Sequence, residues 1–316
     1  MRPSVRALVR RESILAALVV VALVALAQRS DRLFTAANLL NQGRFMTEVG
    51  LVALAMTFVI VTGGIDLSVG SMLGLSAILV GVFWKRAGLP LPAAMVLAVG
   101  AGAAAGFVNG LVITRFGVPP LIATLATLAL YRGLAEGISE SRSVRGYPEW
   151  FYQLGQGEVW GVPTQVWILL AATAVAGVVL ARTTFGRATY ALGANETAAR
   201  FSGIAVDRTK LLIYTASGLA SGLAAVIFVS RVSTTRSDMG TGLEMDAITA
   251  VVLGGTSIFG GSGTIVGTAL GLVLVQALRN GLALADVKGD GTIVVIGVVL
   301  ILATVVGNIF RSEGDG

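Results

Sequence analysis

Twenty consecutive residues without a charge, LLIYTASGLASGLAAVIFVS at 211–230, narrow what this chain can fold into. Two comparable runs are TQVWILLAATAVAGVVLA at 164–181 and TIVVIGVVLILATVVGNIF at 292–310. A helix of about 20 apolar residues crosses the hydrocarbon of a bilayer. Inside lipid the chain must satisfy its own backbone hydrogen bonds, and a helix does so within one segment. Charged residues are 13% of the 316, where soluble domains carry about 25%. The expected fold class is an all-α polytopic membrane protein, one transmembrane domain over 1–316 with lipid around it.

About ten apolar segments can be read, at 13–27, 46–62, 67–84, 91–114, 119–138, 164–181, 209–230, 246–259, 264–284 and 291–309. The second, third and eighth abut glycine breaks and are candidates for broken or re-entrant helices, which are tolerated against protein or a cavity. The first has two readings. Arg10 and Arg11 precede SILAALVVVALVALA (13–27), which fits a cleaved signal peptide with a small-residue end. A retained span is favoured over cleavage. Lysine and arginine divide about 11 to 12 between the two sides, so a simple count does not orient the chain. The clusters do: Arg2, Arg6, Arg10 and Arg11, and then Arg182, Arg187, Arg200, Arg208 and Lys210, fall on one side. Taken as cytoplasmic, they place both termini and 1–12 inside, the loop 182–208 inside and the loop 139–162 in the periplasm.

The net charge of +6 is explained by cations flanking spans, and no basic, aromatic-bearing soluble domain is present to bind nucleic acid. There is no cysteine and no histidine. That removes thiol chemistry, the usual general base and the usual zinc ligand. No metal-ligand cluster and no catalytic set can be read. Gly102, Gly106 and Gly110, then Gly263, Gly267 and Gly271, and the pair Gly218 and Gly222 recur at four-residue spacing. Such stripes let helix backbones approach closely. They point to a tightly packed bundle or a subunit interface.

Two glycine breaks echo one another. GGIDLSVGS (63–71) and GGTSIFGGS (254–262) agree at four of nine positions. Paired breaks in the two halves of a membrane chain point to a translocation site, because broken helix ends free backbone groups for a polar pathway. The candidate pathway residues are Asp66, Ser68, Ser71, Thr256, Ser257 and Ser262. Asp66 also has a plain structural role available: capping the next helix through N–H groups two or three residues on. Between spans, ANETAARFSGI (194–204) reads as a short helix that Asn195 caps and Gly203 ends. It is either a connector or a docking element for a soluble partner. In the outer loop, Tyr147, Trp150, Phe151, Tyr152 and Trp160 form an interfacial aromatic belt or a protein contact.

VTGGIDLSVGSMLGLSA, ALGANETAARFSGI and AITAVVLGGTSIFGGSGTIVGTALG, in that order, resemble the permease subunits of bacterial ABC importers for ribose and related sugars. STTRSDMGTGLEMDAITAVVLGG (233–255) is also similar to the permeases for rhamnose and autoinducer-2. The resemblance covers about 40–310. It implies a permease that works with a second permease copy or a paralogue, an ABC ATPase on a separate chain and a periplasmic sugar-binding protein. It implies that Gly193, Asn195, Ala198, Ala199, Ser202 and Gly203 belong to the coupling helix that seats in the ATPase. ATP and magnesium would bind the partner, with no cofactor in this chain, and indeed no Gly-x-x-x-x-Gly-Lys-Ser/Thr loop occurs. Without the resemblance, a self-sufficient secondary transporter or channel stays open, with Asp66 as its candidate ion site.

Overall fold

A computed structural model describes residues 34–140 and 142–287, together with 291, 292, 294–298 and 301. The expected first span lies outside the described residues, and the tenth lies largely outside them. Among the described residues, seven helices are long and apolar enough to cross a membrane. They are α1 (Ala36–Val61), α2 (Val69–Gly81, prolonged by a π-helical turn Val82–Arg86), α3 (Leu91–Arg115), α4 (Pro120–Ser139), α6 (Thr164–Arg182), α9 (Val206–Val232) and α11 (Ile265–Leu284). Shorter helices are α5 (Glu149–Gly155), α7 (Thr184–Ala194), α8 (Glu196–Phe201) and α10 (Leu243–Leu253). A two-stranded hairpin pairs β1 (Glu158–Val159) with β2 (Val162–Pro163).

Local chemistry sets these boundaries. Prolines open three spans, at 90, 119 and 163, where a missing N–H costs nothing. Thr264 caps α11 by accepting from Gly267 N–H at 2.9 Å. The helices then sort by burial. Of the most apolar 18-residue window, 67% is buried in α1 and 11% in α6. Hence α1, α2 and α9 form the centre, while α6 presents Leu170, Val175 and Val178 outward, as a lipid-facing helix does.

The glycine stripes are used within the chain. Gly102 and Gly106 on α3 face Gly218 and Gly222 on α9, so close that a Cβ on Gly106 would overlap the Tyr214 carbonyl oxygen. Gly267 and Gly271 on α11 meet Gly254 and Ala250 in the same manner, whereas Gly263 lies just before that helix.

Two of the three segments expected to be broken are not, and one is. Helices α1 and α2 are each continuous, so the second and third segments are not broken; the break is the non-helical connection 62–68 between them. The eighth segment is the broken one: α10 has 11 residues, and at 1.5 Å per residue it is about 16 Å long, half a membrane.

The two ends of the bundle differ. One carries α7 and α8. The other carries α5, the hairpin and the connection after α9. There Tyr147 stacks on Trp84 at 4.5 Å and Phe151 is fully buried, while Trp160 at the hairpin tip is 89% exposed. Two of the five outer-loop aromatics are therefore core of this cap, and Trp150 and Trp160 are its exposed ones. Burial pushes the Tyr147 phenol well above its ordinary pKa.

Candidate functional site

Asp66 lies in the connection between α1 and α2 and is fully buried. Its Oδ1 accepts from Ser68 N–H at 3.0 Å and from Ser68 Oγ at 2.6 Å; its Oδ2 accepts from Ser217 Oγ on α9 at 2.9 Å. Asn109 on α3 donates to Ser68 Oγ at 2.8 Å, and the Tyr131 hydroxyl on α4 lies 3.2 Å from Asn109 Oδ1. Ser71 Oγ donates to Ser68 O at 2.8 Å. No lysine or arginine among the described residues pairs with Asp66. The carboxylate is held by three donors instead, and these tie the start of α2 to α3 and α9. Gly64 is needed beside it, because a Cβ there would meet the Tyr214 hydroxyl at 2.5 Å.

The second break packs on the end of the first. Gly261 N–H donates to Val61 O at 2.9 Å. Gly193, the last residue but one of α7, fills the same junction: its own Cβ would overlap Val61 O. Tyr190 on α7 donates to Gly263 O at 2.6 Å. Thr256 is buried, and Ser257 and Ser262 are half-buried in a tight loop closed by Ser257 N–H to Ser262 O at 2.9 Å. Thus backbone joins the two breaks. No hydrogen bond among the described residues joins their two sets of hydroxyls.

The short helix α8 is built as its sequence suggests. Asn195 Oδ1 accepts from Ala198 N–H at 2.9 Å, and Gly203 follows with φ +80°. Ala199 is buried under it; Asn195, Ala198, Ser202 and Gly203 are exposed. Phe201 is 90% exposed. Arg200 pairs with Asp207 at 2.8 Å and Lys210 with Glu196 at 2.6 Å, which anchors α8 to the foot of α9. Asp207 holds the Arg200 guanidinium above its ordinary pKa.

A third break was not read from the sequence. After Ser233 ends α9 in a left-handed conformation (φ +58°), residues 234–242 are non-helical. They run back along one face of α2. Thr235 lies against Gly81, Ser237 and Met239 carbonyls against Gly74, and the Gly240 carbonyl against Gly70. Gly70 to Gly81 is about 16 Å of helix, so this peptide descends about half the bundle before α10 begins. Arg132 on α4 donates to the Ser237 and Met239 carbonyls, the latter at 3.0 Å. Backbone that leaves helix at membrane depth needs such partners. The signal for this segment in the sequence was only its polarity, SRVSTTRSDMGTG, which reads equally as an outer loop.

The chain matches the family model described as the branched-chain amino acid transport system / permease component over residues 38–304. It belongs to that family. The permease is 42% identical over 268 residues to the ribose import permease protein RbsC of Bacillus subtilis (strain 168), covering 84% of this chain and 83% of the relative. It is 40% identical over 310 residues to the ribose import permease protein RbsC of Escherichia coli (strain K12), covering 95% and 94%. To the autoinducer 2 import system permease protein LsrD of Photorhabdus luminescens it is 38% identical over 300 residues, covering 93% and 90%. No solved structure matches it. The permease is a multi-pass protein of the inner membrane, as its family and the seven apolar helices among the described residues indicate.

Proposed function

We propose that this permease moves a small, neutral, polyhydroxylated solute of the ribose, rhamnose or autoinducer-2 type inward, as the membrane subunit of an ABC importer. The observation that carries the reading is similarity over nearly the whole chain to permeases named for ribose and for autoinducer 2. The complete assembly holds two permease subunits, this chain twice or with a paralogue. It also holds ATPase subunits that bind ATP and magnesium and a periplasmic binding protein that delivers the solute. The whole chain, 1–316, is one transmembrane domain. The end with α7 and α8 faces the cytoplasm with both termini, and the end with α5 and the hairpin faces the periplasm.

The geometry supports a mechanical route. Gly193, Asn195, Ala198, Ala199, Ser202 and Gly203 form the surface that seats in the ATPase, with Phe201 as its exposed apolar anchor. ATP binding draws the ATPases together and carries α8 with them. Because Gly193 and Tyr190 touch both helix breaks, motion of α7 reaches Val61 and Gly261 directly, and so shifts α1 against α11. Asp66, Ser68 and Ser71, with Thr256, Ser257 and Ser262, take part as the flexing polar joints of this route; in the conformation described, the first three and Thr256 are closed to solvent.

The test is purification of the tagged permease from native membranes, followed by uptake in proteoliposomes. An ATPase that co-purifies and ATP-driven uptake of labelled ribose or autoinducer 2 are expected. Solute movement by the permease alone, without ATP, would replace the importer with a self-sufficient transporter.

A further inference from the structure

A cavity of about 400 Å³ opens at the end of the bundle that carries α5 and the hairpin. Its walls are α1, the last turn of α9, the non-helical segment 234–242 and the first turn of α10. None of the six pathway residues expected from the sequence lines it.

The chemistry of these walls is specific. Glu48 of α1 is 3% exposed and accepts from Arg231 Nε at 2.7 Å through Oε1, but its Oε2 has no hydrogen-bond partner among the described residues. The Thr234 hydroxyl is also buried without a partner among the described residues. A buried carboxylate oxygen left unpaired is costly, so a site that leaves one open implies a donor arriving from elsewhere. The charges meanwhile cancel. Glu48 is paired with Arg231, Arg236 with Asp238, and Asp246 with Arg279. Among the described residues a charged solute finds no free counter-charge there, whereas Glu48 Oε2 and the Thr234 hydroxyl keep unused bonding capacity at the wall. Phe45 and Phe228 hold the Arg231 guanidinium between them at 4.8 and 4.9 Å, leaving apolar ring surface beside the polar atoms. Pockets for small molecules run from about 300 to 1,000 Å³ and combine apolar walls with a few placed polar groups.

We propose that this cavity is the site at which the permease first takes up its solute, a small neutral polyol, with Glu48 Oε2 and the Thr234 hydroxyl bonding its hydroxyls. The inference rests on the reading of the chain as an importer of such solutes. The position suits the task. The non-helical segment that forms one wall runs from the outer rim down to α10, so a solute bound here contacts a part of the chain whose backbone is not locked in a helix. D-ribose and autoinducer 2 share the chemistry required, neighbouring hydroxyls on a small uncharged frame, and the test separates them.

The complete transporter is reconstituted in proteoliposomes, and uptake of labelled D-ribose and of autoinducer 2 by the wild type is measured first. The permease has no cysteine, so Thr234→Cys gives it a single thiol. That thiol should react with a membrane-impermeant maleimide from the outside, and whichever solute is imported should slow the reaction severalfold. Thr234→Val removes a hydroxyl that has no partner among the described residues, so folded yield is retained, while uptake at subsaturating solute should fall about three- to tenfold, the value of one hydrogen bond. Glu48→Gln should lower it at least as much. A wild type that imports one of these solutes, with labelling indifferent to it or with Thr234→Val at full rate, would overturn the assignment. So would a thiol reached only from the inside. A wild type that imports neither of these solutes, nor rhamnose offered in the same assay, brings down the polyol reading itself, and this site with it.

Discussion

At the scale of single residues, Asp66 is the clearest case of a charge whose cost is met by neutral donors. A buried carboxylate without a cation persists only if its lone pairs are filled, and here Ser68 twice and Ser217 once fill them. Asp66→Ala leaves all three donors unmet and is expected to cost about 2–4 kcal/mol, seen as a lower melting temperature of the purified permease. Asp66→Asn keeps an oxygen for Ser68 and turns an N–H toward Ser217 Oγ, so it is expected to remain stable and to support uptake. A stable Asp66→Asn protein that no longer transports would show that the charge itself is used. The sequence reads Asp66 as a cap of α2; in the structure the N-cap position is Ser68, and Asp66 accepts from the Ser68 N–H two residues on. The tether of Asp66 to α9 was not legible, because Ser217 is 151 residues away and sits in an apolar run among other serines.

At the scale of elements, the half-helix α10 and the peptide before it depend on a guanidinium from another span. Arg132→Ala would leave the Ser237 and Met239 carbonyls without that donor, and a loss of about 2–4 kcal/mol is expected for the two. Thermal unfolding in detergent checks this, with Arg132→Lys between the variants because an ammonium lacks the planar fork. The element α8 is different in kind, since its exposed face has nothing to lose in the isolated chain. Ala198→Glu and Phe201→Ala should leave expression and melting unchanged and reduce ATPase co-purification; full recovery of the ATPase with both would sink the docking assignment. Gly193→Ala acts one step later. Its Cβ cannot fit against Val61 O, so hydrolysis of ATP by the complex should persist while uptake falls.

At the scale of the whole molecule, the bundle is organised by the seam between α3 and α9. Gly102, Gly106, Gly218 and Gly222 bring two backbones together there, and in lipid this packing replaces the hydrophobic effect as the force between helices. Gly106→Val or Gly218→Val should be among the most damaging single changes, because overpacking costs about 1–3 kcal/mol where a neighbour can move, and here the neighbour is backbone. Reduced yield and early aggregation on size exclusion are the expected readings. The seam also explains why these stripes do not need a second subunit: their partner face is already in the chain.

The sequence alone determined the fold class and most of the spans, since a run of uncharged residues in a low-charge chain has one stable fate in a bilayer. It determined the cap of α8 and the glycine stripes as well, because both are set by residues within a turn or two of each other. Only the tertiary structure decided where the stripes pair, that the two glycine breaks meet through backbone at Gly193, and that α10 is half a span preceded by a descending peptide. Those features depend on groups far apart in the chain: Arg132 beside Met239, Gly70 beside Gly240, Glu48 beside Arg231. A polar stretch such as 233–242 has the same composition whether it lies in water or inside a bundle. What distinguishes the two is whether another part of the chain supplies its hydrogen bonds.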